Sequence, residues 1–193
     1  VRVRRALSLA IDRNYIVEQI TRGGEKPAGA LVPYGISDYE GDFRENGGDY
    51  IDVSKEAYKS NVEEAKRLMA EAGYPNGEDF PVMEFKADPG LHVKIFEAVQ
   101  QMWKEWAVFL QTRYDRNITM ARGGWNGDFN DPINFMTLCV SYSPNNYSVY
   151  SNKAYDDMIN EVMLSGDQKF RMETMHKAEE MLMKEEAIIP IYF

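Results

Sequence analysis

The residues best suited to chemistry lie in one short stretch, Gly123-Gly124-Trp125-Asn126-Gly127-Asp128, which runs on to Asp131-Pro132. Glycines let a ligand come close to the backbone, and the same glycines suit an ordinary tight turn. Asp128 offers a carboxylate, which is also a common turn cap. Asp128 and Asp131 stand close enough in sequence to be imagined as an acid/base pair. Asp131 has the better role as a helix cap, with Pro132 at the first helical position. Cys139 lies in the apolar stretch Phe135-Met136-Thr137-Leu138-Cys139-Val140 and reads as a buried structural thiol. A nucleophile would need a nearby base, and His92 and His176 are far away in sequence. No metal-ligand spacing, P-loop or nucleophile motif is present, which argues against an enzyme.

These residues need elements to hold them. The chain has 193 residues, enough for one domain with a sizeable core. Its 22 basic and 31 acidic residues give a net charge of −9, which argues against nucleic acid as a partner. The cluster Arg2, Arg4, Arg5 reads as a solvated helix start. A single cysteine excludes an internal disulfide. No apolar run approaches the roughly 20 residues of a membrane span. Apolar spacing predicts a helix over 3–22 that Gly23-Gly24 stops, then a long irregular excursion over 25–53. Asn61 is expected to cap a helix that Gly73 closes, and Pro75-Asn76-Gly77 to form a turn. A strand is expected over 82–87, a helix over 91–105 and another over 106–113. A second strand is expected over 118–122, helices at about 153–164 and 168–185, and a third strand at Ile188–Phe193. This alternation predicts an α/β fold. Val1 falls inside a helix-like pattern and Phe193 ends a strand-like one, so the chain is expected to be a fragment, a cut domain or a proteolytic product.

Several segments carry a resemblance. Val1-Arg2-Val3-Arg4-Arg5-Ala6-Leu7-Ser8-Leu9-Ala10-Ile11-Asp12-Arg13 resembles the "VR-ALSLAIDR" segment of family 5 solute-binding proteins. Residues 65–74, Ala-Lys-Arg-Leu-Met-Ala-Glu-Ala-Gly-Tyr, resemble their "AKKLLAEAGY" helix. Residues 106–113 resemble "EWKTFLDTR", and residues 121–132 resemble the "ARAGWCADYNEP" turn of the oligopeptide-binding branch. Asn145-Asn146 and Ile188–Phe193 fit as well. The resemblance implies one lobe of a class II periplasmic-binding-protein fold, a mixed sheet flanked by helices. It implies that residues 1–193 are a single domain, the second, C-terminal lobe, with the first lobe absent. The sequence departs from the family between Glu105 and Trp106, where members carry a further turn and strand.

The resemblance also implies roles. A receptor for peptides of varied sequence must read their constant parts, and an ammonium calls for a fixed carboxylate. Asp128 matches the aspartate that pairs with the peptide's α-ammonium. Trp125 would wall a side-chain pocket, Gly124 would let the ligand approach, and the Asn126 backbone would pair with the peptide in strand fashion. Arg122, Arg113 and His92 match positions near the ligand's carboxyl end or its ordered water. Each is equally compatible with a surface role. Asn145 and Asn146 would add polar contacts or simply shape a loop. Hinge closure on an oligopeptide, followed by docking on the membrane permease subunits of an ABC transporter, would be the mechanism. The implied location is extracytoplasmic, in a periplasm or as a cell-surface lipoprotein, and no cofactor is implied. The alternative is another ligand on the same scaffold: a dipeptide, nickel complex, oligosaccharide or signalling peptide. A third reading, an interaction protein using the helices at 153–185, is weaker. Their charges look like solvated faces, and Met172, Met175, Met181 and Met183 like core.

Overall fold

The computed structural model describes residues 1–86, 90–104, 110–112 and 120–193. Its contacts divide into two compact units, a division the sequence reading did not draw. One comprises residues 1–27, 51–122 and Tyr192, and the other residues 28–50, 123–191 and Phe193.

The first unit begins with α1 (Arg2–Leu9). The expected single helix over 3–22 breaks here. Asp12 restarts the chain as an N-cap, accepting from Tyr15 N–H at 2.9 Å, and opens α2 (Arg13–Tyr15). That helix passes into π-helical turns over Ile16–Thr21. The buried Arg13 guanidinium staples the break through Ser8 O, Ser8 Oγ and Ile11 O. Arg22, at φ 54°, takes the left-handed cap position that Gly23-Gly24 was expected to fill.

After the excursion, which contains only the short α3 (Phe43–Gly47) of the second unit, comes α4 (Tyr58–Glu71). Asn61 is not its cap. It lies one turn inside, and its Nδ2 donates to Asp52 O at 2.8 Å. The lead-in is instead a turn in which Ala57 N–H reaches Ser54 Oγ. Gly73 ends α4 as expected, at φ 94°. Tyr74 N–H bonds to Met69 O and Gly73 N–H to Ala70 O, the paired pattern of a Schellman cap. Residues 75–77 form the expected turn.

The sheet is small and entirely parallel in the described residues, where a mixed sheet was expected. β1 (Met83–Lys86) lies between β2 (Leu110–Thr112) and β3 (Met120–Ala121), with α5 (Leu91–Lys104) following β1. Parallel strands need such a crossover. Leu110–Thr112 falls in the stretch 106–113 expected to be helical. Pairing with Met83–Phe85 overrides its local pattern. Residues 105–109 and 113–119 lie outside the described residues, and with them the departure at Glu105–Trp106. The core joins Ala6, Leu7, Ile16, Ala65, Met69, Ile95, Val99 and Trp103, whose indole donates to Leu7 O at 3.1 Å.

The second unit contains no named strand among its described residues. The terminal segment expected as a strand makes only an isolated bridge, Pro27 to Tyr192. α6 (Ile133–Met136), α7 (Lys153–Leu164) and α8 (Gln168–Lys184) pack together, close to the expected helix bounds. Asn152 and Asp167 cap α7 and α8. Their apolar faces meet Val32, Phe43, Ile133 and Met136 in one cluster. Met172, Met175 and Met183 are buried and Met181 is half-buried, which makes them core. The excursion is held by side chains. Buried Glu179 accepts from Leu31 N–H, Val32 N–H and Arg44 Nη1, the last at 2.8 Å.

Candidate functional site

The glycine-rich turn opens the second unit's main segment, directly after Arg122, and Ala121 to Asn130 are all exposed. Among the described residues, Gly123 to Asp128 make no backbone-to-backbone hydrogen bond. Exposed, unpaired backbone of this kind can accept an added strand.

The turn is anchored to the residues that follow it. Trp125 is 42% exposed, yet its Nε1 donates to Asn134 Oδ1 at 2.6 Å. The ring is therefore oriented while part of it stays exposed. Gly127 sits against Phe135: a Cβ there would come within 3.0 Å of Cζ, so a side chain is excluded unless the ring gives way. Asp131 supports the helix start, but Pro132, expected at the first helical position, occupies the cap position of α6 itself. Asp131 Oδ1 accepts from Ile133 N–H at 2.9 Å at the start of α6, and its Oδ2 pairs with Arg171 Nη2 at 2.8 Å. Those contacts rule it out as a free partner for Asp128. Asp128 itself is exposed and, among the described residues, carries no hydrogen bond or ion pair. A carboxylate left this way is available to a ligand cation.

The other expected residues are distributed as follows. Gly124, Trp125, Asn126 and Asp128 share this one exposed segment. Arg122 is exposed in the first unit, immediately before it in the chain. His92 is half-buried in the first turn of α5, also in the first unit. Arg113 lies outside the described residues. Asn146 has a loop role: its side chain bonds Val140 O, Tyr150 O, Tyr150 N–H and Ser148 Oγ. Cys139 is buried, and that burial pushes its thiol up to about 12, far from a thiolate near neutrality. Sequence reasoning missed Asn134, Asn130, Ser37 and Arg171. The first two sit beside a recognised helix start and were within reach of inspection. Ser37 and Arg171 are remote in sequence and left no signal.

The model of the bacterial extracellular solute-binding proteins, family 5, matches residues 1–147. The chain belongs to this family. Family 5 proteins bind solutes and are not enzymes. The family 5 chain is 34% identical to the periplasmic oligopeptide-binding protein OppA of Salmonella typhimurium, over all of its length and 36% of OppA. It is 35% identical to the dipeptide-binding protein DppE of Bacillus subtilis, over 99% of its length and 37% of DppE. A solved structure of Listeria monocytogenes OppA bound to peptide matches at TM-score 0.81 and 27% identity, covering 99% of this chain and 38% of that one. The family 5 chain therefore spans little more than a third of its relatives' length and carries part of a class II periplasmic-binding-protein fold, here mostly helical with little sheet.

Proposed function

We propose that this protein serves as the second lobe of an oligopeptide-capturing protein for an ABC importer. The observation that carries the reading is the exposed run Gly123–Asp128, which among the described residues has no backbone partner and ends on a carboxylate with no partner there. Asp128 takes the peptide's α-ammonium in a charge-assisted bond that contributes about 1.5–3 kcal/mol. The backbone around Asn126 pairs with the ligand as an added strand, and Gly124 permits the approach. Trp125 walls a side-chain pocket. Arg122, Arg113 and His92 serve the carboxyl end of the ligand or the water around it. Closure against a first lobe completes the contacts, and the closed form docks on membrane permease subunits. This lobe alone supplies part of the contacts, so the isolated chain binds peptide weakly. The location is extracytoplasmic, periplasmic or at the cell surface through a lipid anchor. OppA and DppE, two of the relatives, are named as binding oligopeptides and dipeptides, which supports the ligand class.

A dipeptide is the second reading, favoured by the likeness to DppE. Calorimetric titration of the two-lobe protein, wild type beside Asp128→Ala, tests both. Free peptides should bind, and either N-acetylation or the substitution should weaken binding about 10-fold or more. Equal binding of free and acetylated peptides would remove Asp128 from the role of ammonium anchor. Preference for two-residue over longer peptides would decide for the dipeptide.

A further inference from the structure

The glycine-rich turn is tied to a segment 93 residues away in the chain. Ser37 N–H donates to Asn130 Oδ1 at 2.7 Å, and Asn130 Nδ2 donates back to Ser37 Oγ at 2.9 Å. This reciprocal pair uses both ends of one amide, so it fixes the position and the rotation of Asn130. Asn130 closely follows Asp128 in the chain, with only Phe129 between them.

Ser37 is itself anchored through its neighbour. Asp38 has a side chain only 7% exposed and gathers three groups. His176 Nε2 lies 2.8 Å from Oδ2, Asn46 Nδ2 donates to the same oxygen at 2.8 Å, and Tyr39 N–H donates to Oδ1 at 2.6 Å. His176 stands on α8 and stacks on Phe43, with ring centroids 3.8 Å apart. The same helix grips the residue next to Asn130 through Arg171 and Asp131, on the same C-terminal flank of the turn. α8 thus reaches the turn by two routes, one direct and one through Asp38, Ser37 and Asn130.

We propose that Ser37 and Asn130 are positioning residues of the turn: backed by Asp38 and His176, they set where Asp128 and Trp125 are presented, without touching the ligand. The consequence for affinity rests on the peptide reading above; the positioning does not. A run with three glycines has little stiffness of its own. Without a clamp, ordering it would count against every binding event. With the clamp, that ordering is done during folding.

The test is ¹⁵N relaxation of the unliganded full chain. In wild type, the amides of Gly123–Asp128 should show order parameters near the rigid value of about 0.85. Asn130→Ala should drop them toward or below about 0.6 while leaving the Trp103 indole signal in place. Asn130→Asp keeps the acceptor for Ser37 N–H and should fall between the two. His176→Ala should move the same turn signals by a smaller amount. His176→Gln, which restores a donor to Asp38, should return them close to wild type. Unchanged order parameters in both Asn130→Ala and His176→Ala would overturn the proposal, as would equal effects of Gln and Ala at position 176. Because no ligand is present, failure of the two-lobe protein to bind peptides would refute the function above and leave this result standing.

Discussion

The two units solve the problem of buried backbone in different ways. In the first, regular structure does most of it: α1 packs on α4, α5 crosses between parallel strands, and Trp103 fills the centre. Among the described residues its apolar core carries few polar side chains, Arg13 and Ser8 at the helix break being the exception. In the second, an irregular segment over 28–50 is buried in part against α8, and several of its N–H groups, those of Leu31, Val32 and Gly35 among them, find side chains rather than a ladder. Buried charge is the result, in Arg44 and Glu179, with no exposure of either side chain. The difference teaches where a binding surface can be built. A loop held by long side chains leaves neighbouring backbone free to stay unpaired, as Gly123–Asp128 are among the described residues. A sheet would have consumed those groups.

The largest test of this contrast is Glu179→Ala. It removes the close ion-pair partner of the buried Arg44 guanidinium, leaving Asp49 at 3.9 Å, and the acceptor for two backbone N–H groups, and should cost about 3–5 kcal/mol in chemical denaturation. Replacing both partners by apolar residues, as in Arg44→Met with Glu179→Leu, should recover most of the charge-related loss but not the two N–H bonds. Full recovery by the double variant would show that the irregular segment does not depend on Glu179 as an acceptor. Trp103→Ala probes the first unit by the opposite mechanism, a cavity, and should cost about 3–5 kcal/mol. Trp103→Phe keeps much of the volume, loses the bond to Leu7 O, and should cost clearly less. If both Trp103 variants behaved alike, the hydrogen bond and not the packing would dominate that core. Next come the caps. Asp12→Ala in the first unit and Asn152→Ala in the second should each cost about 1 kcal/mol by thermal or denaturant unfolding. Asn152 also bonds Glu185, so a larger loss there would mark the second unit's greater reliance on side-chain bonds. The smallest effect is expected at Asp128. Asp128→Ala should change stability by no more than about 0.5 kcal/mol, because the carboxylate supports nothing in the described fold. A clear loss of stability would make it a structural cap after all.

Acid should loosen the link between the segment and α8. Burial alone would raise the Asp38 carboxyl, but the bonds from His176, Asn46 and Tyr39 N–H outweigh it and hold the group below its ordinary value. The stability this adds is fully present above the ordinary carboxylate range and is lost as pH falls through the lowered value.

Local signals were legible where the physics is local. The Schellman cap at Gly73 needs only the residues from Met69 to Tyr74, and the capped helices α7 and α8 need only their own periodicity. Family membership was legible in the segments at 1–13, 65–74 and 121–132, and the exposed turn at 123–128 in its glycines. The misreadings have one cause in common. Asn61 looked like a cap because Asn often is one, until Asp52 O gave it a better use. Leu110–Thr112 looked helical until β1 offered a ladder. Ile188–Phe193 looked like a strand, but forms only a bridge at Tyr192.

What the sequence by itself determined is the set of elements whose hydrogen bonds close within a few residues, and the placement of an exposed carboxylate after a glycine-rich run. Only the tertiary structure decided which distant groups meet: Arg44 with Glu179 across 135 residues to hold the irregular segment, and Ser37 with Asn130 across 93 and Arg171 with Asp131 across 40 beside the glycine-rich run. Such pairs are chosen by how packed helices bring side chains together, and the choice of partner is made by burial, which no short window of sequence encodes.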